Sequence, residues 1–115
     1  MKQAYNEFVS STFDELKKLF IKKSAQYGDI DPLGNFRKGA ALKYNCCDIA
    51  AMYEVLKDYL GKHIVHVYGH PVNGGKVDES WKDIAVYSVI ALYLNELYYA
   101  EQVERLDDNE QNAEP

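Results

Sequence analysis

Apolar and polar residues along this chain fall into three long runs, each repeating with the period of an α-helix. The run over residues 78–104 is the most apolar. Ile84, Ala85, Ser88, Ala91, Leu92 and Asn95 recur in it at helical spacing, with Tyr87 and Val89 beside them. Little is polar between Asp83 and Asn95, which predicts a central helix buried on nearly every side. Over residues 3–26, Tyr5, Val9 (or Phe8), Phe13, Leu16 and Phe20 form one stripe, and Lys17, Lys18, Lys22 and Lys23 lie away from it. Ser10, Ser11 and Thr12 interrupt that stripe, and Thr12 followed by Glu15 reads as a capping box that restarts the helix. The third run starts at Asn45 or Cys46 and reaches about Lys62, with Ile49, Met52, Val55, Leu56, Tyr59 and Leu60 as its core face. A short helix from Pro32 or Asn35 to about Lys43 is expected to bury Phe36 and Ala40. Residues 64–68 alternate and fit either a short strand or a continuation of the helix.

Turn residues punctuate these runs. Tyr27-Gly28-Asp29 closes the first helix, and Gly69 to Lys76 is a loop rich in Gly, Pro and Asn. The expected fold is all-α: a small antiparallel bundle of three long helices and one short helix, in a single domain over residues 1–106. Residues 107–115 carry no apolar side chain except Ala113 and are expected to form a disordered acidic tail.

Composition narrows the function classes. The chain has 115 residues, 47% apolar and 27% charged, which suits one soluble domain. Its formal charge of −5 argues against a nucleic-acid surface, which needs a basic stripe. Cys46 and Cys47 are adjacent, a geometry unsuited to an unstrained disulfide, and there is no CxxC spacing. Buried thiols in a reducing cytoplasm are expected. No leader pattern and no clean bilayer-length apolar run is present, so no membrane association is expected. Tyrosine is over-used, with 10 residues against 4 Phe and 1 Trp. Flat side chains with one hydroxyl suit ligand pockets and subunit interfaces as well as an ordinary core rim.

Four groups of residues carry candidate chemistry. Glu79 and Asp83 share a helical face, and hard oxygen ligands of this kind bind Mg²⁺ when further carboxylates or phosphate oxygens join them. Asp48, Glu54 or Asp58 on the facing helix are the available partners. Acids in a first turn also complement the helix dipole without any metal. Lys57, among apolar neighbours and one turn after Tyr53, suits a phosphate, a carboxylate or a solvated face. His63, His66 and His70 fall within eight residues and offer imidazole nitrogens of the kind Zn²⁺ or Ni²⁺ takes, or an ordinary histidine surface. Residues 28–36 combine Gly and Asn at a helix start, a place where backbone N–H groups meet anions, though the GK[ST] of a P-loop is absent.

Several of these stretches occur together. Tyr27-Gly28-Asp29 with Asn35-Phe36, a helix containing Asp48-Ile49-Ala50 and Lys57, and the segment from Asp78 to Tyr87 resemble a family of small phage and prophage proteins. That family is remotely similar to the MazG-like all-α nucleotide pyrophosphohydrolases. The resemblance covers roughly residues 15–95, and the final helix motif is its most specific part. It implies an oligomeric helical bundle in the cytoplasm of a bacterial host, with a nucleotide site between helices and Mg²⁺-assisted attack of water on an α-phosphorus. Glu79 and Asp83 are carried over as metal ligands, with Asp48 on the facing helix to complete the set; Lys57 is carried over as the phosphate contact, and Tyr27, Asn35 and Phe36 as shaping the base or sugar end, with Tyr87 as a further nucleotide contact. The sequence departs from that pattern at both acidic pairs: no ExxE pair precedes the final helix, and Glu79 and Asp83 stand four apart where the pattern has E/DxxD, so the full acidic quartet is absent. A non-catalytic binder, which sequesters a nucleotide or inhibits a host defence protein, is the alternative.

Overall fold

The computed structural model describes the backbone of residues 2–26 and 31–112, and the side chains of residues 2–22 and 31–109. It is all-helical, with no strand among the described residues. The elements are α1 (Lys2–Gln26), α2 (Gly34–Tyr44), α3 (Ile49–Tyr68) and α4 (Val77–Asn112). The chain divides into two compact units, Met1–Asn35 and Phe36–Pro115, with the boundary inside the first turn of α2.

The first unit is built on α1. The serines do not interrupt this helix: Ser11 Oγ donates to the Phe8 carbonyl at 3.1 Å, so the hydroxyl is satisfied without breaking the turn. Val9, Leu16, Leu19 and Phe20 are half-buried, whereas Tyr5, Phe8 and Phe13 are exposed. The closing Tyr27-Gly28 turn lies outside the described residues. At the end of the unit, Leu33 N–H donates to Asp31 Oδ1 at 3.1 Å and Gly34 N–H to the Asp31 carbonyl at 3.0 Å. Asp31 thereby supplies the turn from which α2 starts.

The second unit holds its own core. Met52, Val55 and Leu56 of α3 are at most 2% exposed, and Leu94 of α4 is fully buried. Phe36 and Ala40 of α2 are buried as their spacing predicts. Gly39 is the close approach between α2 and α3: a Cβ there would lie 2.7 Å from Tyr59 Oη and 2.9 Å from Val55 Cγ1. The helix α3 continues through residues 64–68, because its i+4 ladder ends only at Gly69, whose N–H donates to the Val65 carbonyl at 3.0 Å.

The connection from α3 to α4 is held by two histidines. His66 Nε2 donates to the Gly75 carbonyl at 2.5 Å, and His70 Nδ1 donates to the His66 carbonyl at 2.8 Å. Gly75 has φ +56° and meets the His70 ring so closely that a Cβ would lie 2.3 Å from its Cδ2. Only glycine meets both conditions.

Helix α4 differs from expectation in two ways. It is not enclosed: Val77, Ser80 and Leu94 are buried, but Trp81, Val89, Leu92, Tyr93 and Tyr99 remain exposed. One neighbouring helix covers one stripe, and the run 84–94 is apolar on more faces than α3 occupies. It also continues beyond Glu104 to Asn112, through residues 107–112. No Gly or Pro interrupts this stretch, and Glu and Gln are good helix formers.

Candidate functional site: the groove between α3 and α4

Helices α3 and α4 are antiparallel. His63 faces Asp83 near the connecting loop, and Ile49 shares grooves with Leu94 and Leu97 at the other end. At this second end, one flank of the pair opens into a groove of about 320 Å³. Ile49, Ala50, Tyr53, Glu54 and Lys57 line it from α3, and Leu94, Asn95 and Tyr98 from α4. The α3 residues recur at three- and four-residue spacing, so a single helical face supplies them.

Lys57 is the cation of this groove. Its ammonium pairs with Glu54 Oε2 and stands 5.3 Å from the centre of the Tyr53 ring. The Glu54 carboxylate beside it holds the Lys57 pKa above the ordinary lysine value, with burial opposing. Glu54 Oε2 is closed off from solvent, and its contact with Lys57 is an ion pair rather than an aligned hydrogen bond. An entering anion therefore meets a cation that already has a carboxylate partner.

The carboxylates expected to share a metal do not converge. Asp48 is the N-cap of α3: its Oδ1 accepts from the Ala51 N–H at 2.8 Å. That hydrogen bond, with a second from Cys46, holds the Asp48 pKa below the ordinary carboxylate value. Asp83 lies opposite His63, fifteen residues further along α3, which places it about 22 Å from Asp48 at 1.5 Å per residue. Glu79 is one turn before Asp83 and exposed. Among the described residues no three metal-ligating side chains gather, so the set Glu79, Asp83 and Asp48 does not fit one Mg²⁺.

The histidines also separate. His63 Nε2 lies 3.6 Å from Asp83 Oδ2, and its ring is 5.9 Å from that of Tyr87. His66 and His70, with rings 4.3 Å apart, serve the loop. Phe36 is buried, 5.7 Å from the Tyr59 ring and 6.4 Å edge-on from the Tyr87 ring. Phe36 and Tyr87 thus join α2 to α3 and α4, and are not brought to Lys57. Asn35 is exposed in the first turn of α2. Tyr27 lies outside the described residues. Lys43, on the exposed side of α2, pairs with Asp58, which raises the Lys43 pKa.

The residues that join Lys57 are Tyr53, Glu54, Asn95 and Tyr98. Tyr53 is legible in the sequence as the residue one turn before Lys57, and Glu54, three residues before it, shares the same helical face. Asn95 and Tyr98 reach the groove through the register of the antiparallel pair, for which the sequence carries no local signal. No protein-family model matches the chain, and neither does a curated protein or a solved structure. No helix among the described residues is long and apolar enough to cross a membrane.

Proposed function

We propose that the protein is a MazG-like nucleotide-binding protein of phage type, which holds a nucleotide or another small phosphorylated ligand in the α3–α4 groove without hydrolysing it. One observation carries this reading: Tyr53, Tyr98, Lys57 and Asn95 line a single groove. Tyrosine faces stack on a base, an ammonium meets phosphate as a point charge, and a side-chain amide both donates to and accepts from a base edge. The pyrophosphohydrolase reading has less support. Asp48 lies about 22 Å from Asp83, so the three carboxylates do not meet at one ion. Sequestration needs only the groove.

Thermal unfolding with a panel of nucleoside mono-, di- and triphosphates, with and without Mg²⁺, tests this. A ligand at one hundred times its Kd stabilises the folded state by about 2.7 kcal/mol. The expected result is a rise in Tm with one nucleotide, independent of Mg²⁺ and lost in Lys57→Ala. A rise that requires Mg²⁺ and disappears in Asp83→Asn, with helical content intact, would restore the hydrolytic reading. No rise with any nucleotide overturns ligand binding.

A second reading, an inhibitor of a host defence protein, is supported by the exposed apolar side chains of α1 and α4 and by the acidic charge of the chain. The same exposure supports a homo-oligomer, and the resemblance to phage proteins implies the cytoplasm of a bacterial host.

A further inference from the structure

The two histidines that hold the connection from α3 to α4 also bring donor atoms to one point. His66 and His70 are four residues apart, and the helical backbone of the Gly69 cap (φ −83°, ψ −2°) keeps the second over the first. Their rings are 4.3 Å apart, centre to centre, and tilted by 32°. His70 Nδ1 donates to the His66 carbonyl, which leaves the lone pair of the His70 ring on Nε2. That Nε2 lies against Gly75, where a Cβ would stand 2.6 Å from it. The Gly75 carbonyl oxygen is in turn 2.5 Å from His66 Nε2. Two ring nitrogens and one carbonyl oxygen therefore meet at Gly75. His66 is half-buried while His70 and Gly75 are exposed, so solvent reaches all three.

We infer that His66 Nε2, His70 Nε2 and the Gly75 carbonyl oxygen form a binding site for a divalent transition-metal ion of the Cu²⁺ or Ni²⁺ class. The site is independent of the nucleotide reading, whose groove lies at the other end of α3. Histidines four apart on a helix are a chelating pair, because both rings leave the same face. A ligating histidine commonly donates its second N–H to a backbone carbonyl, which fixes the ring and its tautomer. His70 already does so through Nδ1. His66 turns its lone pair to Nε2 by carrying its proton on Nδ1, a change of tautomer that releases no proton. The ion then takes the place of that proton between His66 Nε2 and the Gly75 oxygen. With bonds of about 2.0–2.1 Å to each, the two atoms stand about 3 Å apart, so the loop opens by a fraction of an ångström.

The surroundings favour a cation. Helix α3 ends here, and its last carbonyls carry the negative end of the helix dipole. The first turn of α4, at the other side of the loop, carries Asp78 and Glu79. Against them stands Lys76, the one lysine of the loop. Ring separation selects the metal. Two imidazoles bound at a right angle to one ion have centres roughly 4.4 Å apart, and roughly 5.1 Å apart at the tetrahedral angle. The observed 4.3 Å matches the right angle of the tetragonal sites that Cu²⁺ and Ni²⁺ prefer, rather than tetrahedral Zn²⁺. No third metal-ligating side chain gathers there among the described residues, so water completes the coordination and the affinity is modest.

Calorimetric titration of the full chain with CuCl₂ or NiCl₂ alone tests the site. Cys46 and Cys47, expected to be buried, are exposed, so the titrated chain carries Cys46→Ser and Cys47→Ser to remove competing thiols. The expected result is one ion per chain. Its dissociation constant rises at least about tenfold in His66→Gln and in His70→Gln and is unchanged in His63→Gln, with helical content by circular dichroism equal in all. Both histidines also hold the loop, so a second measurement leaves them in place: the electron paramagnetic resonance spectrum of the Cu²⁺-loaded chain. It is expected to be tetragonal, with nitrogen splitting from two imidazoles. No binding at about 1 mM metal overturns the site. So does binding that survives both substitutions, binding lost in only one of them, or a spectrum with fewer than two imidazole nitrogens.

Discussion

Asp48 shows how one side chain takes its role from the geometry around it. Its carboxylate is committed to the Ala51 N–H, which would otherwise be an orphan donor at the start of α3. A carboxyl whose folded pKa is depressed stabilises the fold above its unfolded value, near 3.9, and loses that contribution as pH falls through the folded value. Asp48→Asn keeps a capping oxygen but removes the charge. Its Tm, followed from pH 5 to pH 2, is therefore expected to fall less steeply than that of the wild type. Equal slopes would show that the carboxylate charge at this cap contributes nothing to acid sensitivity. The sequence spacing starts this helix at Asn45 or Cys46, whereas the cap is Asp48. What the sequence could not show is that the cap stands a helix length away from Asp83.

At the scale of the helices, α3 and α4 divide the work unequally. α3 buries Ile49, Met52, Val55 and Leu56 on one face, whereas α4 closes the contact chiefly with Leu94, Ser80 and Val77. Leu94 is thus the central contribution of α4 to the core. Leu94→Ala is expected to cost about 2–5 kcal/mol, the range for a buried leucine that leaves a cavity. Urea unfolding measures it. A loss below about 1 kcal/mol would mean that α4 is free to collapse onto α3. The periodicity of α3 identified its core face because only one face of it is apolar. The same reasoning overestimated the burial of α4, where apolar residues surround the helix and periodicity does not say which stripe meets a neighbour.

For the whole molecule, the division at Asn35 and Phe36 means that α2, α3 and α4 share one core. Phe36, Tyr59 and Tyr87 join the three helices through their rings, and Gly39 lets α2 approach α3. A fragment of residues 31–115 is expected to unfold cooperatively on heating. A fragment that melts without a transition would show that the first unit is needed for this core.

The sequence by itself determined the helical class and the face that α3 buries. These follow from local periodicity and from hydrogen bonds that span three or four residues. It also placed Phe36 and Ala40 on the inner side of α2. Tertiary structure decided what was left over. The antiparallel register brought Asn95 and Tyr98 to Lys57 and held Asp48 away from Asp83, because contacts between helices depend on where a loop returns the chain. It also left one stripe of α4 bare, since a helix apolar on several faces can satisfy only as many of them as it has neighbours.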